Sequence, residues 1–248
     1  AAYTANASDT SGAVSYSIAF SDIAGNAGTA VISGSGVVTA SLDTTAPIIS
    51  SVGLNSDNNA LTVNFNESVY DTINGTGDLE VADFTLSISG GTATLNSATP
   101  TSIIKTSQTV WVLGFSTSGT ANGSETITVV PTSSTSIYDA AANAAATSQS
   151  NNMASLNDAT IPTLSSVSIA TNNAITSVAN DGDVVTLTLT ASEAISTPVV
   201  TFKSGAAAIA DTSVTYTNTT GNTWTAAYAA NASDTFGAVT FSIAYSDT

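Results

Sequence analysis

Apolar residues alternate with small or polar ones along most of the chain, at a period of two rather than 3.6. That is the pattern of strands with one face buried and the other in water. Residues 13–20 show it in Ala13, Val14, Tyr16, Ile18 and Phe20. Strands are expected near 1–7, 13–20 and 29–40, and then near 48–54, 60–66, 84–89, 92–97, 109–116, 125–130 and 144–150. A third series is expected near 164–170, 184–190, 198–203, 213–218, 223–230 and 238–245. Gly, Asn, Asp and Ser separate these segments at intervals of roughly ten residues, the cadence of seven-stranded β-sandwiches. The Ala-rich run 140–147 has room for a helical turn but is too short to stand as a helix. The expected fold class is therefore all-β.

Two internal repeats organise these strands. Asp43-Thr44-Thr45-Ala46-Pro47 returns as Asp158-Ala159-Thr160-Ile161-Pro162, and a Ser-Ser-Val core follows each copy. Proline sets its own φ and pushes the preceding residue toward extended geometry, so these D-x-T-x-P segments read as short, stiff joints. The longer repeat is AAYTANASDTSGAVSYSIAFSD, residues 1–22, which returns as AAYAANASDTFGAVTFSIAYSD at 226–247. The chain is thus expected to begin and end inside copies of one domain, type A, and to be a segment of a longer tandem array. Residues 1–42 are the C-terminal part of one A domain, 43–157 a complete domain of type B, and 158–248 the N-terminal part of a second A domain.

Charge narrows the function. Eighteen Asp and Glu stand against two Lys, with no Arg or His, for a net charge of −16. Such a chain repels phosphate backbones and anionic lipid, so neither nucleic-acid binding nor electrostatic membrane docking is expected, and without a membrane-spanning run no membrane insertion by this segment is expected either. It attracts cations instead. With 42% hydrophobic and only 8% charged residues, the composition is that of a folding chain rather than a disordered tail. Cysteine is absent, so no disulfide framework exists. The sequence contains no signal peptide and no membrane-spanning run.

Several segments carry a family resemblance. The D-x-T-x-P joints, Ser192-Glu193, Gly221-Asn222-Thr223-Trp224-Thr225 and the loop Ser21-Asp22-Ile23-Ala24-Gly25-Asn26-Ala27 resemble bacterial immunoglobulin-like repeats of giant extracellular adhesins. The resemblance covers nearly the whole chain and is specific for fold and setting, not for a ligand. It implies tandem immunoglobulin-like sandwiches in a secreted, cell-surface stalk, often stiffened by calcium at the joints.

The residues can be tested for calcium separately. In a sandwich of alternately rising and falling strands, the loops after the second, fourth and sixth strands lie at the end nearest the preceding linker. In B this end gathers Asp43, Glu67 and Asp139; in A the counterparts are Asp158, Glu193 and Asp247, with Asp22 as the Asp247 equivalent in the first copy. Both domains share a D-x-A-x-N-A loop, Asp139–Ala144 and Asp22–Ala27. Three carboxylates in one place raise one another's pKa unless a cation joins them, and without His or Cys the set suits a hard, oxygen-liganded ion. The plainer alternative is that these Asp and Asn residues only form Asx-turns. Asp9, Asn122 and Glu125, in loops at the far end of the preceding domain, are further candidates for the calcium shell.

Asp181-Gly182-Asp183 reads as a turn, and Asp71, Asp78, Glu80 and Asp83 as a solvated long loop, with a second ion site as the sharper option for each. Trp111 and Trp224 sit in alternating segments and read as core anchors. Without His, Cys or Arg the common nucleophilic and phosphate-handling sites cannot be built, so no enzyme is expected. Two non-enzymatic functions stay open: an adhesin stalk, whose partners are the neighbouring repeats of its own chain, and the subunit of a self-assembling extracellular filament or sheath, whose partners include lateral copies.

Overall fold

The computed structural model describes residues 2–4, 9, 12–32, 39–40 and 43–248, so the strands expected over 1–7 and 29–40 fall partly outside the described residues. The chain divides into two compact units, Ala1–Ala159 and Thr160–Thr248. All named strand pairings in both are antiparallel.

The first unit opens with a hairpin in which β1 (Gly12–Ala13) pairs with β2 (Thr39–Ala40). Single bridges at Ile18–Val31 and Ser21–Ala27 continue the ladder to a turn at Asp22–Asn26. Its described apolar side chains, among them Ile18, Phe20 and Ile32, are exposed, as is Tyr3 before it. Next come β3 (Ile49–Leu54), β4 (Ala60–Phe65), a 3-10 turn at Val81–Asp83, β5 (Phe84–Ser89), β6 (Thr94–Leu95), β7 (Ser102–Lys105), β8 (Val110–Gly114), β9 (Thr117–Ser118), β10 (Thr126–Pro131) and β11 (Met153–Ser155). One sheet has the order β3-β4-β8-β7, a second β11-β10-β5, and β6 pairs with β9 alone. Alternation does what it should: β4 buries Leu61, Val63 and Phe65, β8 buries Trp111 and Leu113, β5 buries Phe84 and Leu86, and β10 buries Ile127 and Val129. These side chains form one core drawn from both sheets, each contributing about 1.5–3 kcal/mol by leaving water.

The second unit contains β12 (Leu164–Thr171), β13 (Val184–Ala191), β14 (Val199–Ser204), β15 (Ala207–Ala208), β16 (Thr215–Thr220), β17 (Thr223–Ala229) and β18 (Val239–Ala244). Its sheets have the orders β12-β13-β17-β16 and β15-β14-β18. The core holds Val185, Leu187, Leu189, Val200, Phe202 and Tyr228, with the Phe202 and Tyr228 rings 4.8 Å apart. The four-stranded sheets of the two units match strand for strand. The three-stranded sheets differ, because β10 is flanked by β5 and β11 whereas β18 has β14 on one edge and no described strand on the other.

Some expected boundaries move. The last strand of the first unit lies at 153–155 rather than 144–150. Asn152 sets the change: its buried Nδ2 donates to the Val129 carbonyl (2.7 Å) and its own carbonyl accepts from Val129 N (3.0 Å), which starts the pairing there. The Ala-rich 140–147 run is a turn, not a helix, because Asp139 collects its amides, as shown below. The expected strand at 92–97 shrinks to the two residues of β6. No strand was expected at β7, whose Ile103 and Ile104 are adjacent rather than alternating. It is an edge strand, and its Lys105 pairs with Asp78, which makes that edge a poor template for another chain.

Candidate metal centre

Asp43, Glu67 and Asp139 meet at one end of the first unit, one carboxylate oxygen of each lying within 4.8 Å of the others. Among the described residues this is the acidic trio so placed. They come from three segments: the joint before β3, the loop after β4 and the loop after β10.

Each segment is held by its own hydrogen bonds. The joint docks where Ile48 N donates to Asn66 Oδ1 (2.7 Å) and Asn66 N donates to the Ile48 carbonyl (3.1 Å), with Glu67 next in sequence. Tyr70 and Tyr138 exchange backbone hydrogen bonds of 2.7 and 2.8 Å, which brings the Glu67 loop beside Asp139. Asp139 is 1% exposed, and its Oδ1 accepts from Ala141 N and Asn143 N (2.8 and 2.7 Å). Asn143 is the hub: its Nδ2 donates to Asp139 Oδ2 (2.7 Å) and to the Asp43 carbonyl (3.0 Å), tying loop to joint. Thr45 N closes an Asx-turn onto Asp43 Oδ1 at 2.9 Å.

Burial pushes the Glu67 carboxyl above its ordinary pKa, and the charges of Asp43 and Asp139 push it further, against a small opposing effect from Asn66. The chain has only two lysines, and the one in the first unit, Lys105, pairs with Asp78. Oxygen donors from three segments, one of them buried, with mutual repulsion and no cationic side chain between them, fit a hard divalent ion such as calcium.

The other expected ligands are distributed. Asp22 lies in the hairpin turn, where it accepts from Asn26 N and Asn26 Nδ2 (2.8 Å each), the same bonds Asp139 makes with Asn143. Its carboxyl is held below the usual range by the Asn26 side chain and backbone. Asp158 belongs to the first unit, beside Gly123. Glu193 and Asp247 belong to the second unit, on adjoining segments: Ser196 N donates to the Ser246 carbonyl at 3.0 Å, and Ile195 bridges Asp247. The joint there docks as in the first unit, Thr163 N donating to Ser192 Oγ (2.9 Å) and Ser192 N to the Thr163 carbonyl (2.8 Å).

Glu125 is not available as a ligand of a neighbouring joint. It is fully buried, with Oε1 accepting from Thr92 N and Ala93 N (2.6 and 2.9 Å) and Oε2 from Asn122 N (3.0 Å). It pins a loop from inside. Burial pushes its carboxyl up, but these backbone donors outweigh that and hold it below the usual range. Asp183 closes a turn by accepting from Asn173 Nδ2 (2.8 Å) and Asn180 N (2.7 Å), and Asp181 accepts from Ala232 N (2.8 Å). Trp111 is a core side chain. Asn143 was not singled out in the sequence. Its place in D-x-A-x-N-A gave the turn, whereas its bond to the Asp43 carbonyl spans 100 residues.

Compared with models of known families, with curated proteins and with solved structures, the chain matches none. Among the described residues no helix is long and apolar enough to cross a membrane.

Proposed function

We propose that this chain is a run of tandem immunoglobulin-like modules from a large secreted bacterial surface adhesin, acting as an extended stalk stiffened by calcium at its joints. The meeting of Asp43, Glu67 and Asp139 carries the reading, because it links a joint to two loops of the module that follows it. Strand order supports the module type. Setting aside the two-residue pair β6–β9, the order β3-β4-β8-β7 over β11-β10-β5 corresponds to ABED over GFC of a constant-type immunoglobulin domain. Calcium bound by the trio would neutralise three anions and fix the joint to the loops. Extracellular modules can use weak sites, Kd about 10⁻⁴–10⁻³ M, because the surrounding calcium is itself near millimolar.

The role is mechanical, with neighbouring repeats as partners. At calcium about ninefold above Kd, a site present only in the docked state stabilises it by about 1.4 kcal/mol, a tenfold bias per joint. The test is calorimetric titration of calcium into the whole chain and into Asp139→Asn and Asp22→Asn variants. Millimolar-range binding should be lost in Asp139→Asn and kept in Asp22→Asn. A wild-type chain that takes up no calcium would sink the reading and leave Asp139 as a turn former.

A further inference from the structure

The chain leaves the first unit through residues that are tied down one after another. Leu156 N donates to the Glu125 carbonyl (2.9 Å), and the Leu156 side chain is buried in the core. Asn157 N donates to Asn58 Oδ1 at 2.8 Å, and Asn58 Nδ2 returns a bond to the Asn157 carbonyl at 2.8 Å. Asn157 Nδ2 adds bonds to Asn58 Oδ1 (3.0 Å) and to the Asn55 carbonyl (2.9 Å). Ala159 N then donates to the Ala121 carbonyl at 2.9 Å. The second D-x-T-x-P joint therefore begins on the module it leaves. After Ala159 come Thr160, Ile161 and Pro162, and then Thr163, whose amide docks on Ser192 of the second unit at 2.9 Å.

The turn that receives Asn157 is shaped for it. Asn58 has a left-handed backbone, φ 54°, which asparagine tolerates better than most residues. Asn55 Oδ1 accepts from Asn59 N and Ala60 N (3.0 Å each), which closes the turn between β3 and β4 around Asn58. The bonds between Asn157 and this turn are exposed. Water competes for each of them, so each gains little alone.

We infer that Asn55, Asn58 and Asn157 form a latch that stores residues 157–159 on the first unit and releases them together, before β11 separates from β10. Release stops at Leu156, because its side chain is held in the core. The tether then grows from residues 160–162 to residues 157–162, a gain of about 10 Å at about 3.3–3.6 Å per residue. Tension entering from Thr160 meets the latch before it meets the short β10–β11 ladder, so the joint yields while the module stays folded. The latch bonds run between asparagine side chains and backbone groups and need no ion, so the inference stands apart from the calcium reading.

Native-state hydrogen exchange of the whole chain, read by NMR with and without chelator, tests this. In the unmodified chain the Asn157 and Ala159 amides should be protected and should open together, more readily than the Val129 amide, which bonds to the Asn152 carbonyl (3.0 Å) where the last strand begins. Asn58→Gly keeps the left-handed turn but removes the side chain. It should lower the protection of both amides about five- to tenfold, the worth of one net hydrogen bond, and leave Val129 unchanged. Ala159 decides the matter, because its amide bonds to Ala121 rather than to the turn and responds only if the segment is released as one. Asn157→Ala should lower Ala159 protection in the same way, and chelator should alter none of these values. An Ala159 amide indifferent to both substitutions, a Val129 amide that loses as much as Ala159, unprotected Asn157 and Ala159 in the unmodified chain, or protection present only with calcium would each overturn the proposal.

Discussion

Residues 2–22 and 227–247 are almost the same sequence in two surroundings. Tyr3 is 62% exposed and Tyr228 is 3% exposed, although each follows two alanines in the same repeat. Tyr228 has β13 beside it, the Phe202 ring across the core and a four-stranded sheet around it. Among the described residues, the hairpin carrying residues 12–32 pairs with its own return strand alone. Alternation thus makes a face able to be buried, and the covering face decides whether it is. The acidic turns teach the same lesson. Asp22 and Asp139 make the same hydrogen bonds to the Asn four residues on, yet Asp22 is solvated whereas Asp139 is buried beside two other carboxylates.

The widest separation should come from truncating the duplicated tyrosine. Tyr228→Ala should destabilise the second unit by about 3–5 kcal/mol, the cost of an aromatic cavity, while Tyr3→Ala should stay within about 0.5 kcal/mol. Urea unfolding followed by NMR of core methyl groups in the second unit would read both. Equal effects would break the comparison.

Next comes the N-x-S-[Asp/Glu] turn shared by Asn122–Glu125 and Asn231–Asp234. Asn122 N donates to Glu125 Oε2 and Asn231 N to Asp234 Oδ2, at 3.0 and 2.9 Å. Only Glu125 is sealed from water. Glu125→Ala strands buried amides and should cost about 3 kcal/mol. Its depressed folded pKa means that its contribution is complete above the unfolded value, about 4.3, and is lost as pH falls through the lower folded value. Acid unfolding of the first unit in Glu125→Gln should lack that component.

A smaller effect separates the two D-x-A-x-N turns. The fourth turn residue has a left-handed backbone in both, Gly25 at φ 92° and Ala142 at φ 73°. Glycine adopts this conformation freely and alanine does not, so Ala142→Gly should stabilise the first unit by about 0.5–1 kcal/mol in thermal unfolding. Gly25→Ala should leave that transition where it is, because its turn lies outside the core.

The smallest expected effect has the opposite sign to that of Glu125. Glu67 has a raised folded pKa, so its ionised form is disfavoured in the fold. Without calcium, stability should rise as pH falls through that raised value toward the unfolded one, and Glu67→Gln should abolish the rise. Saturating calcium should flatten it in the wild-type chain. A slope unchanged by calcium would count against an ion at this trio.

Much was legible in the sequence because it is local. Alternation placed β3, β4, β5, β8, β10, β13, β14, β17 and β18 within a few residues, since side-chain direction in a strand depends only on position parity. The shared D-x-A-x-N-A motif gave a turn whose bonds span four residues. The 225-residue repeat marked which segments are equivalent. Tertiary structure alone decided the rest: that Glu125 turns inward to three amides, that Asn143 reaches the Asp43 carbonyl, that Asn152 starts the last strand of the first unit, and that Tyr228 is buried while Tyr3 is exposed. The reason is that burial and long-range hydrogen bonds depend on which distant segments arrive opposite a residue. Two stretches of nearly the same sequence therefore differ as much as their neighbours do.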